Sequence, residues 1–334
     1  MKKIYICIAL LLTISMLAAC GVQAAPAQTA APEASAQTIE EPVVTRVGAL
    51  TGPTAMGMAK LISDASSEYE YTLAGSADEL MPMLLQGELD IAAVPMNLAA
   101  VLYNKTEGGV RLLAANVLGV LYIGEYCSDD IHSVADLKGR TLYATGKGSV
   151  PEYFLRYVLA GNGIDMDTDL TVEWKSEPAE VVALLNADRS GIAMLPQPYA
   201  TAAAMQLGED FRLALSLSDE WEALGSGSLC TTAGIIVRAE FADENPEAVE
   251  KFLHDYAASA EWVNANTDDA AAICEELGIA KAAVAKIALP KCNIVCITGA
   301  DMKSAAGGCL QVLYDYAPAS VGGAMPGDDF YYGA

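Results

Sequence analysis

The chain has 334 residues, of which 53% are hydrophobic, and its 43 acidic and 19 basic residues give a formal net charge of −24. This charge excludes a basic face that would bind nucleic acid or an anionic bilayer. The length exceeds what one core usually holds, so more than one lobe is expected.

The amino terminus has the pattern of a secretory signal peptide, which we place at residues 1–19. Lys2 and Lys3 precede a mostly apolar run, and small residues follow it up to Cys20. The letters LAAC resemble a bacterial lipobox, which implies cleavage before Cys20 and lipidation of that cysteine. The alternative is a plain signal peptide with an incidental cysteine.

Residues 20–42 are rich in Ala, Pro, Gln, Ser and Thr, and they lack the large apolar residues that offset chain entropy. We predict that they form a disordered tether behind the lipidated Cys20. No later stretch reaches the roughly 20 apolar residues that a membrane helix needs. Acyl chains are therefore expected to hold the protein at the membrane.

The first predicted strand, residues 43–50, runs into a glycine-containing turn and then into an amphipathic helix. A glycine beside small hydroxyl residues at a strand-to-helix turn lets backbone N–H groups approach a ligand closely. The alternative is that the turn only reverses the chain. The candidate ligand contacts in this turn are Thr51, Gly52, Pro53 and Thr54.

Two stretches, residues 84–97 and 184–198, read alike. Each has a Leu-Leu pair, a polar turn, four apolar residues and a proline. The apolar run is typical of a strand buried on both faces, and the proline ends it. Ligands of open α/β sheets bind beyond the carboxyl ends of strands. We therefore predict two similar lobes, each with a proline-bearing loop at a shared crevice, although chance similarity of helix–turn–strand units is the alternative.

The loop after the first of these strands contains Pro95, Met96 and Asn97. Asn97 either caps the next helix or directs its amide at a ligand. The loop after the second contains Gln197, Pro198 and Tyr199. Tyr199 either stacks on a planar ligand or packs under its own loop.

A further loop, between a strand at residues 141–144 and a helix, has glycines on both sides of a lysine. It does not match the phosphate-loop or dinucleotide motifs. A glycine-bracketed helix start with one ammonium group favours a small anion, and the alternative is a solvated lysine. The candidate contacts are Gly146, Lys147, Gly148, Ser149 and Val150.

The order of the predicted strands and helices divides the chain into two lobes, and the chain passes between them twice. Lobe 1 is predicted to comprise residues 43–130 and 232–334, and lobe 2 residues 131–231. Helices are expected to fill the last 90 or so residues, a length typical of part of one domain.

Catalytic and metal-binding patterns are missing from the sequence. His132 and His254 are the only histidines, and no G-x-S-x-G elbow exists. Cys292, Cys296 and Cys309 have no persuasive metal spacing, so buried free thiols are expected, with one disulfide among the three as an alternative. We therefore predict no metal, no cofactor and no enzymatic activity.

The lipobox, the TGPT turn, the GELDIA run into Pro-x-Asn, the GKGS loop and the MLPQP turn resemble substrate-binding lipoproteins of bacterial ABC importers. The nearest group is the nitrate, sulfonate, taurine and thiamine-precursor binding family. The resemblance implies a type II periplasmic-binding-protein fold with a ligand cleft between two α/β lobes. It also implies that the four loops above contact the ligand.

By this resemblance the protein is an extracytoplasmic, lipid-anchored monomer that delivers a small solute to the transmembrane subunits of an ABC permease. Lys147 favours an anion such as a sulfonate, whereas Tyr199 allows a flat heterocycle. The rival hypothesis is a lipid-anchored enzyme that uses carboxylates on the same scaffold.

Overall fold

Strands and helices alternate along most of the chain, and the computed structural model describes residues 43–187 and 189–334. The strands are β1 (Thr45–Leu50), β2 (Tyr69–Ala74), β3 (Ile91–Pro95), β4 (Val110–Leu118), β5 (Leu121–Tyr126), β6 (Thr141–Thr145), β7 (Thr171–Lys175), β8 (Ile192–Pro196), β9 (Phe211–Ser216), β10 (Thr231–Arg238) and β11 (Ile294–Ile297). The helices are α1 (Pro53–Met56), α2 (Ala59–Ser63), α3 (Ala77–Leu85), α4 (Met96–Lys105), α5 (Val150–Gly161), α6 (Pro178–Ala187), α7 (Tyr199–Leu207), α8 (Leu217–Ala223), α9 (Ala239–Glu244), α10 (Pro246–Ala265), α11 (Thr267–Glu276), α12 (Ala282–Ala288) and α13 (Gly299–Tyr316).

The strands form two sheets. Sheet A has the order β11-β4-β10-β3-β1-β2, and sheet B has the order β7-β6-β8-β5-β9. In sheet A, β1 is parallel to β2 and β3, and in sheet B, β6 is parallel to β7 and β8. In sheet A, β4 and β10 each run antiparallel to both of their neighbours, and in sheet B β5 does so.

The two similar sequence stretches become equivalent strands. β3 lies between β10 and β1, and β8 lies between β5 and β6. The four apolar residues of each run are buried, and only the terminal proline is partly exposed. The burial of both faces explains why these strands read as continuous apolar runs rather than alternating ones.

The sheets correct the predicted boundary at residue 130 in one respect. That boundary placed β5 in lobe 1, whereas β5 pairs with β8 and β9 of sheet B. An apolar strand has the same sequence pattern whichever sheet it joins, so the sequence pattern alone does not assign β5 to a sheet. The predicted all-helical end of the chain is also wrong, because β11 joins the edge of sheet A beside β4.

A shared apolar core connects the two sheets. Met302 and Leu310 of α13 belong to the same buried cluster as Phe154 of α5 and Trp221 of α8. The rings of Phe154 and Trp221 lie 5.2 Å apart, and the ring of Tyr157 lies 4.0 Å from that of Trp221. Because α13 follows β11 of sheet A and α5 follows β6 of sheet B, this packing joins the two halves.

Membrane attachment through a spanning helix would need a long apolar segment. Within residues 43–187 and 189–334, no helix is long and apolar enough for this purpose.

Candidate functional site

The carboxyl ends of the parallel strands in the two sheets lie at neighbouring edges. β10 starts beside this edge of sheet A, since Thr231 pairs with Leu118 and Ala233 pairs with Pro95. In sheet B, Leu121 pairs with Pro196 at the carboxyl end of β8. Only two residues separate Leu118 from Leu121, a span of at most about 11 Å. The chain therefore crosses directly from one carboxyl edge to the other.

Hydrogen bonds fix this first crossing on both sides. The Gln197 amide N–H donates to the Val120 carbonyl (2.8 Å). From the opposite side, the Asn293 side chain donates to the Gly119 carbonyl (2.6 Å), and the Tyr122 hydroxyl donates to the Lys291 carbonyl (3.0 Å). The crossing is thus an anchored segment between the sheets.

The second crossing runs from β9 through α8 to β10. The Ser216 hydroxyl accepts from the Asp219 amide (3.4 Å) and caps α8. Trp221 is fully buried, and its indole N–H donates to the Ser228 carbonyl (3.2 Å) and to its hydroxyl (3.1 Å). The buried Trp221 ring and its two hydrogen bonds therefore fix the segment that leads into β10 of sheet A.

The turn after β1 has the backbone geometry that the sequence predicts. Gly52 has φ 118°, a conformation that other residues rarely adopt. Pro53 then occupies the first position of α1, and the Thr54 hydroxyl donates to the Leu50 carbonyl (2.5 Å). Thr51 is exposed, whereas Thr54 is buried and has this internal partner.

The loop after β3 differs from its predicted capping geometry. Pro95 occupies the N-cap position, and α4 begins at Met96, so Asn97 lies inside the first turn. The Asn97 amide donates to the Ser320 carbonyl (3.3 Å) in the carboxyl-terminal segment. Asn97 therefore does not cap the helix.

The loop after β6 is hydrogen-bonded to a carboxylate of the helix that follows it, α5. Gly146 (φ 90°) and Gly148 (φ 72°) adopt positive φ, as the two glycines suggest. The Gly148 amide N–H donates to the Glu152 carboxylate (2.7 Å), and the Ser149 hydroxyl donates to the Gly146 carbonyl (2.7 Å). The Ser149 side chain makes no capping bond at the start of α5, and the Lys147 side chain is exposed.

In the loop after β8, Gln197 is buried and Tyr199 is exposed. Gln197 is only 2% exposed, and its side-chain oxygen accepts from the Thr201 hydroxyl (2.8 Å) and amide (3.3 Å). Its side-chain nitrogen has no partner. The Gln197–Pro198 peptide is cis. Tyr199 is 53% exposed at the start of α7, so it does not pack under the loop.

Asn116 near the carboxyl end of β4 is a polar residue that sequence reasoning missed. Its side chain is fully buried, its amide has no hydrogen bond of good geometry, and the buried Tyr256 hydroxyl is the polar group beside it. The pairing of β4 with β10 is irregular here, because Thr232 and Asn116 each fall between successive paired positions. Bulges of this kind occur next to binding sites and redirect a side chain.

The buried charges lie at the opposite, amino-terminal edges of the sheets. In sheet A, Asp90 is 1% exposed and accepts from the Arg46 amide (3.0 Å) and from the guanidinium groups of Arg46 (2.9 Å) and Arg238 (3.0 Å). Burial disfavours the ionised carboxylate, but these bonds outweigh it and lower the pKa of Asp90.

Glu125 of β5 has the same role in sheet B. Its buried carboxylate accepts from the Ser128 hydroxyl (2.5 Å) and from the amides of Asp130 (3.0 Å) and Ile131 (3.2 Å), and it is paired with Arg212. Burial opposes ionisation here also, yet these contacts lower the pKa of Glu125. Both buried carboxylates thus serve the scaffold.

Metal and disulfide chemistry have no support in the described part of the chain. No group of three or more His, Cys, Asp or Glu residues there is placed to hold a metal ion. The six described cysteines are all free thiols, which resolves the alternative of a disulfide among Cys292, Cys296 and Cys309.

Several solved structures have a similar fold. An ABC transporter protein from Parabacteroides distasonis aligns with a TM-score of 0.74 and 22% identity over 86% of this chain and 98% of that one. The periplasmic aliphatic sulphonate binding protein SsuA from Escherichia coli aligns with a TM-score of 0.66 and 17% identity over 83% and 88%. The alkanesulfonate-binding SsuA from Xanthomonas axonopodis pv. citri, bound to MOPS, aligns with a TM-score of 0.60 and 17% identity over 86% and 96%.

These likenesses confirm the predicted two-sheet α/β class of periplasmic binding proteins. Comparison with curated proteins finds no match. The sequence profile of the NMT1-like family matches residues 55–278, about two thirds of the chain, and this agrees with the resemblance noted from the motifs. The chain therefore belongs to the NMT1-like family.

Proposed function

We propose that this protein is the extracytoplasmic solute-binding lipoprotein of an ABC importer. It binds a small anionic or heterocyclic solute, similar to a sulfonate, nitrate or taurine or to a thiamine precursor, between two lobes that close by a hinge. Membership of the NMT1-like family and the fold shared with ABC-transporter binding proteins support this proposal.

One observation carries the proposal: the carboxyl edges of two α/β sheets adjoin at two crossings. Loops at such edges are where open α/β sheets bind ligands. The four predicted loops follow β1, β3, β6 and β8, all at these edges. A ligand between them would contact both halves at once, which favours the closed arrangement.

We further propose that the ligand contacts are the predicted loop residues, and that the two-lobe division separates sheet A from sheet B. The signal peptide and the lipidated Cys20 lie outside the described residues, and their support is the LAAC motif alone. The proposed partners are the solute and the transmembrane subunits of a permease, with the binding protein itself a monomer.

A binding role also agrees with the exposed positions of the two histidines. His132 is bonded to the Asp129 carbonyl, and His254 is bonded to its neighbour Asp255. Both side chains are largely exposed and belong to different parts of the fold. Neither has the buried, paired setting that is typical of a catalytic base.

Native mass spectrometry of the full chain, expressed in a bacterial host and purified without denaturation, tests the proposal. We expect a species heavier than the mature protein by one small molecule, which is released unchanged on denaturation. The intact mass also reports whether the chain begins at an acylated Cys20. Conversion of the released molecule by fresh protein would instead favour the enzyme hypothesis. Protein that carries no solute and binds none from a nutrient mixture would contradict the receptor function.

A further inference from the structure

The loop after β6 uses its own N–H groups, although its sequence favours a small anion. The Gly148 N–H donates to the Glu152 carboxylate (2.7 Å), and the Ser149 N–H donates to the Gly146 carbonyl (3.2 Å). Pro151 has no N–H, and the Glu152 N–H donates to the Ser149 carbonyl (3.1 Å). An anion that used these N–H groups would therefore have to displace bonds within the protein.

Proline limits the other three helix starts at the proposed cleft in a similar way. Pro53 is the first residue of α1, and Pro95 and Pro198 are the N-cap residues of α4 and α7. Each lacks the N–H that another residue would present at that position. At α7, the Gln197 side-chain oxygen also accepts from the Thr201 N–H (3.3 Å). Because helix starts bind anions through such N–H groups, the four loops are poorly equipped for this mode of binding.

Glu152 also places a negative charge beside the loop. Its side chain is only 11% exposed and accepts from Nε and Nη2 of Arg156 (both 3.1 Å). The same guanidinium donates to both carboxylate oxygens of Asp167 (2.8 and 2.9 Å), so two carboxylates share one cation. The cation of the loop itself, Lys147, is exposed, and exposed charges contribute little. An anion at the Gly148 N–H would thus meet the Glu152 carboxylate at short range.

We propose that Glu152 is a specificity-determining residue, which excludes anions from the loop after β6. The solute that the receptor takes therefore has no sulfonate, carboxylate or phosphate group. This inference rests on the proposed receptor function and narrows its ligand, because it removes the anionic class. The carboxylate acts in two ways, since it occupies the Gly148 N–H and repels a second negative charge, while the bonds from Arg156 hold it in position.

The variant Glu152→Gln separates the charge of this side chain from its hydrogen bond to the loop. Glutamine has nearly the same size, and its single carbonyl oxygen is an acceptor for the Gly148 N–H. Arg156 retains its two bonds to Asp167, so the variant should stay folded. Without the repelling charge, the affinity for methanesulfonate in calorimetric titration should rise about tenfold or more above that of wild type.

The matched control is Glu180→Gln in α6. The Glu180 carboxylate also accepts from backbone N–H groups at a helix start, those of Ser176 (2.9 Å) and Glu177 (3.4 Å). However, α6 follows β7, and the loop between them is not one of the four proposed ligand loops. Both variants remove one negative charge, so a general effect of net charge would appear equally in both. The control should bind methanesulfonate no better than wild type.

Two results of these titrations would overturn the inference. One is micromolar binding of methanesulfonate or nitrate by wild type, and the other is a gain in Glu152→Gln no larger than in the control.

The solute that wild type carries through purification gives a second test, which needs no variant. Native mass spectrometry should identify a molecule without a negatively charged group. An anionic solute would overturn the inference and leave the receptor function intact. Protein that carries no solute and binds none from a nutrient mixture would contradict the receptor function itself.

Discussion

The Asp90 network gives a quantitative test of how the scaffold is held together. One buried carboxylate accepts bonds from two arginines, and these bonds connect β1, the start of β3 and the end of β10. The variant Asp90→Asn keeps the size of the side chain but removes the buried counter-charge of both guanidinium groups. Arg238 retains only its pair with the exposed Glu240 (3.0 Å). Because Asp90 lies at the edge away from the cleft, the effect should appear in stability rather than in ligand affinity.

Removal of one partner from a buried ion pair costs about 3–5 kcal/mol. Arg46 and Arg238 keep 36% and 21% of their side-chain surface exposed, so water compensates part of the loss. We therefore expect the lower end of the range, about 3 kcal/mol. With a urea m-value of about 3 kcal/mol/M, the unfolding midpoint should fall by about 1 M.

The assay is urea unfolding at pH 7, followed by circular dichroism, with Asp243→Asn as the matched control. Asp243 also forms two bonds with one arginine, Arg111 (2.6 and 3.0 Å), but it is 63% exposed. Exposed pairs contribute little, so this variant should unfold near the wild-type midpoint. Equal midpoints for the two variants would refute the argument from burial.

The same network has a defined pH dependence. The pKa of Asp90 is lower in the folded protein than the value of about 3.9 in an unfolded chain. Its contribution to stability is therefore present above about pH 4 and is lost as the pH falls through the folded pKa. The difference between wild type and Asp90→Asn should accordingly diminish in that acidic range.

Two further predictions concern the crossing and the thiols. In Gly119→Ala, the added methyl would overlap the Ser218 hydroxyl and lie 3.0 Å from the Cys230 sulfur. The free energy of unfolding should therefore fall by about 1–3 kcal/mol in thermal unfolding, and the second substitution Ser218→Ala should restore most of it. An unchanged stability of the single variant would contradict this packing. Of the six described cysteines only Cys127 is exposed, and burial raises the pKa of Cys292 and Cys309 to about 12. Cys127→Ser should therefore remove the fast phase of thiol titration at pH 8. A fast phase that persists in this variant would contradict the assigned burial.

Local patterns predicted several strands to within a few residues. The repeated apolar runs and their prolines identified β3 and β8 as equivalent buried strands, and the strand predicted at residues 141–144 lies within β6. These features depend on spacing and on the missing N–H of proline, both of which are written in the sequence. The positive φ at Gly52 and Gly148 was also predictable, because glycine in a strand-to-helix turn indicates it.

The hydrogen-bond partners of side chains were harder to predict than the helices and strands. Glu152 follows Ser149 by three residues, which is the spacing of a capping box, but its carboxylate accepts from the Gly148 amide. It offers Asn97 as a cap, but the carboxyl-terminal segment accepts its amide at Ser320, over 200 positions away. Asn116 carries no local signal, because its burial depends on the distant strands β10 and β11 that pair with β4 on either side.

The sequence by itself determined the α/β class, the two similar halves and the loops at the ends of their strands, because periodicity, glycine and proline act through the local backbone. Tertiary structure alone decided that β5 joins sheet B and that the buried charges lie at the amino-terminal edges of the sheets, away from the cleft. Strand pairing and side-chain burial depend on contacts between segments that are distant in the sequence, and the residues adjacent to a segment do not determine those contacts.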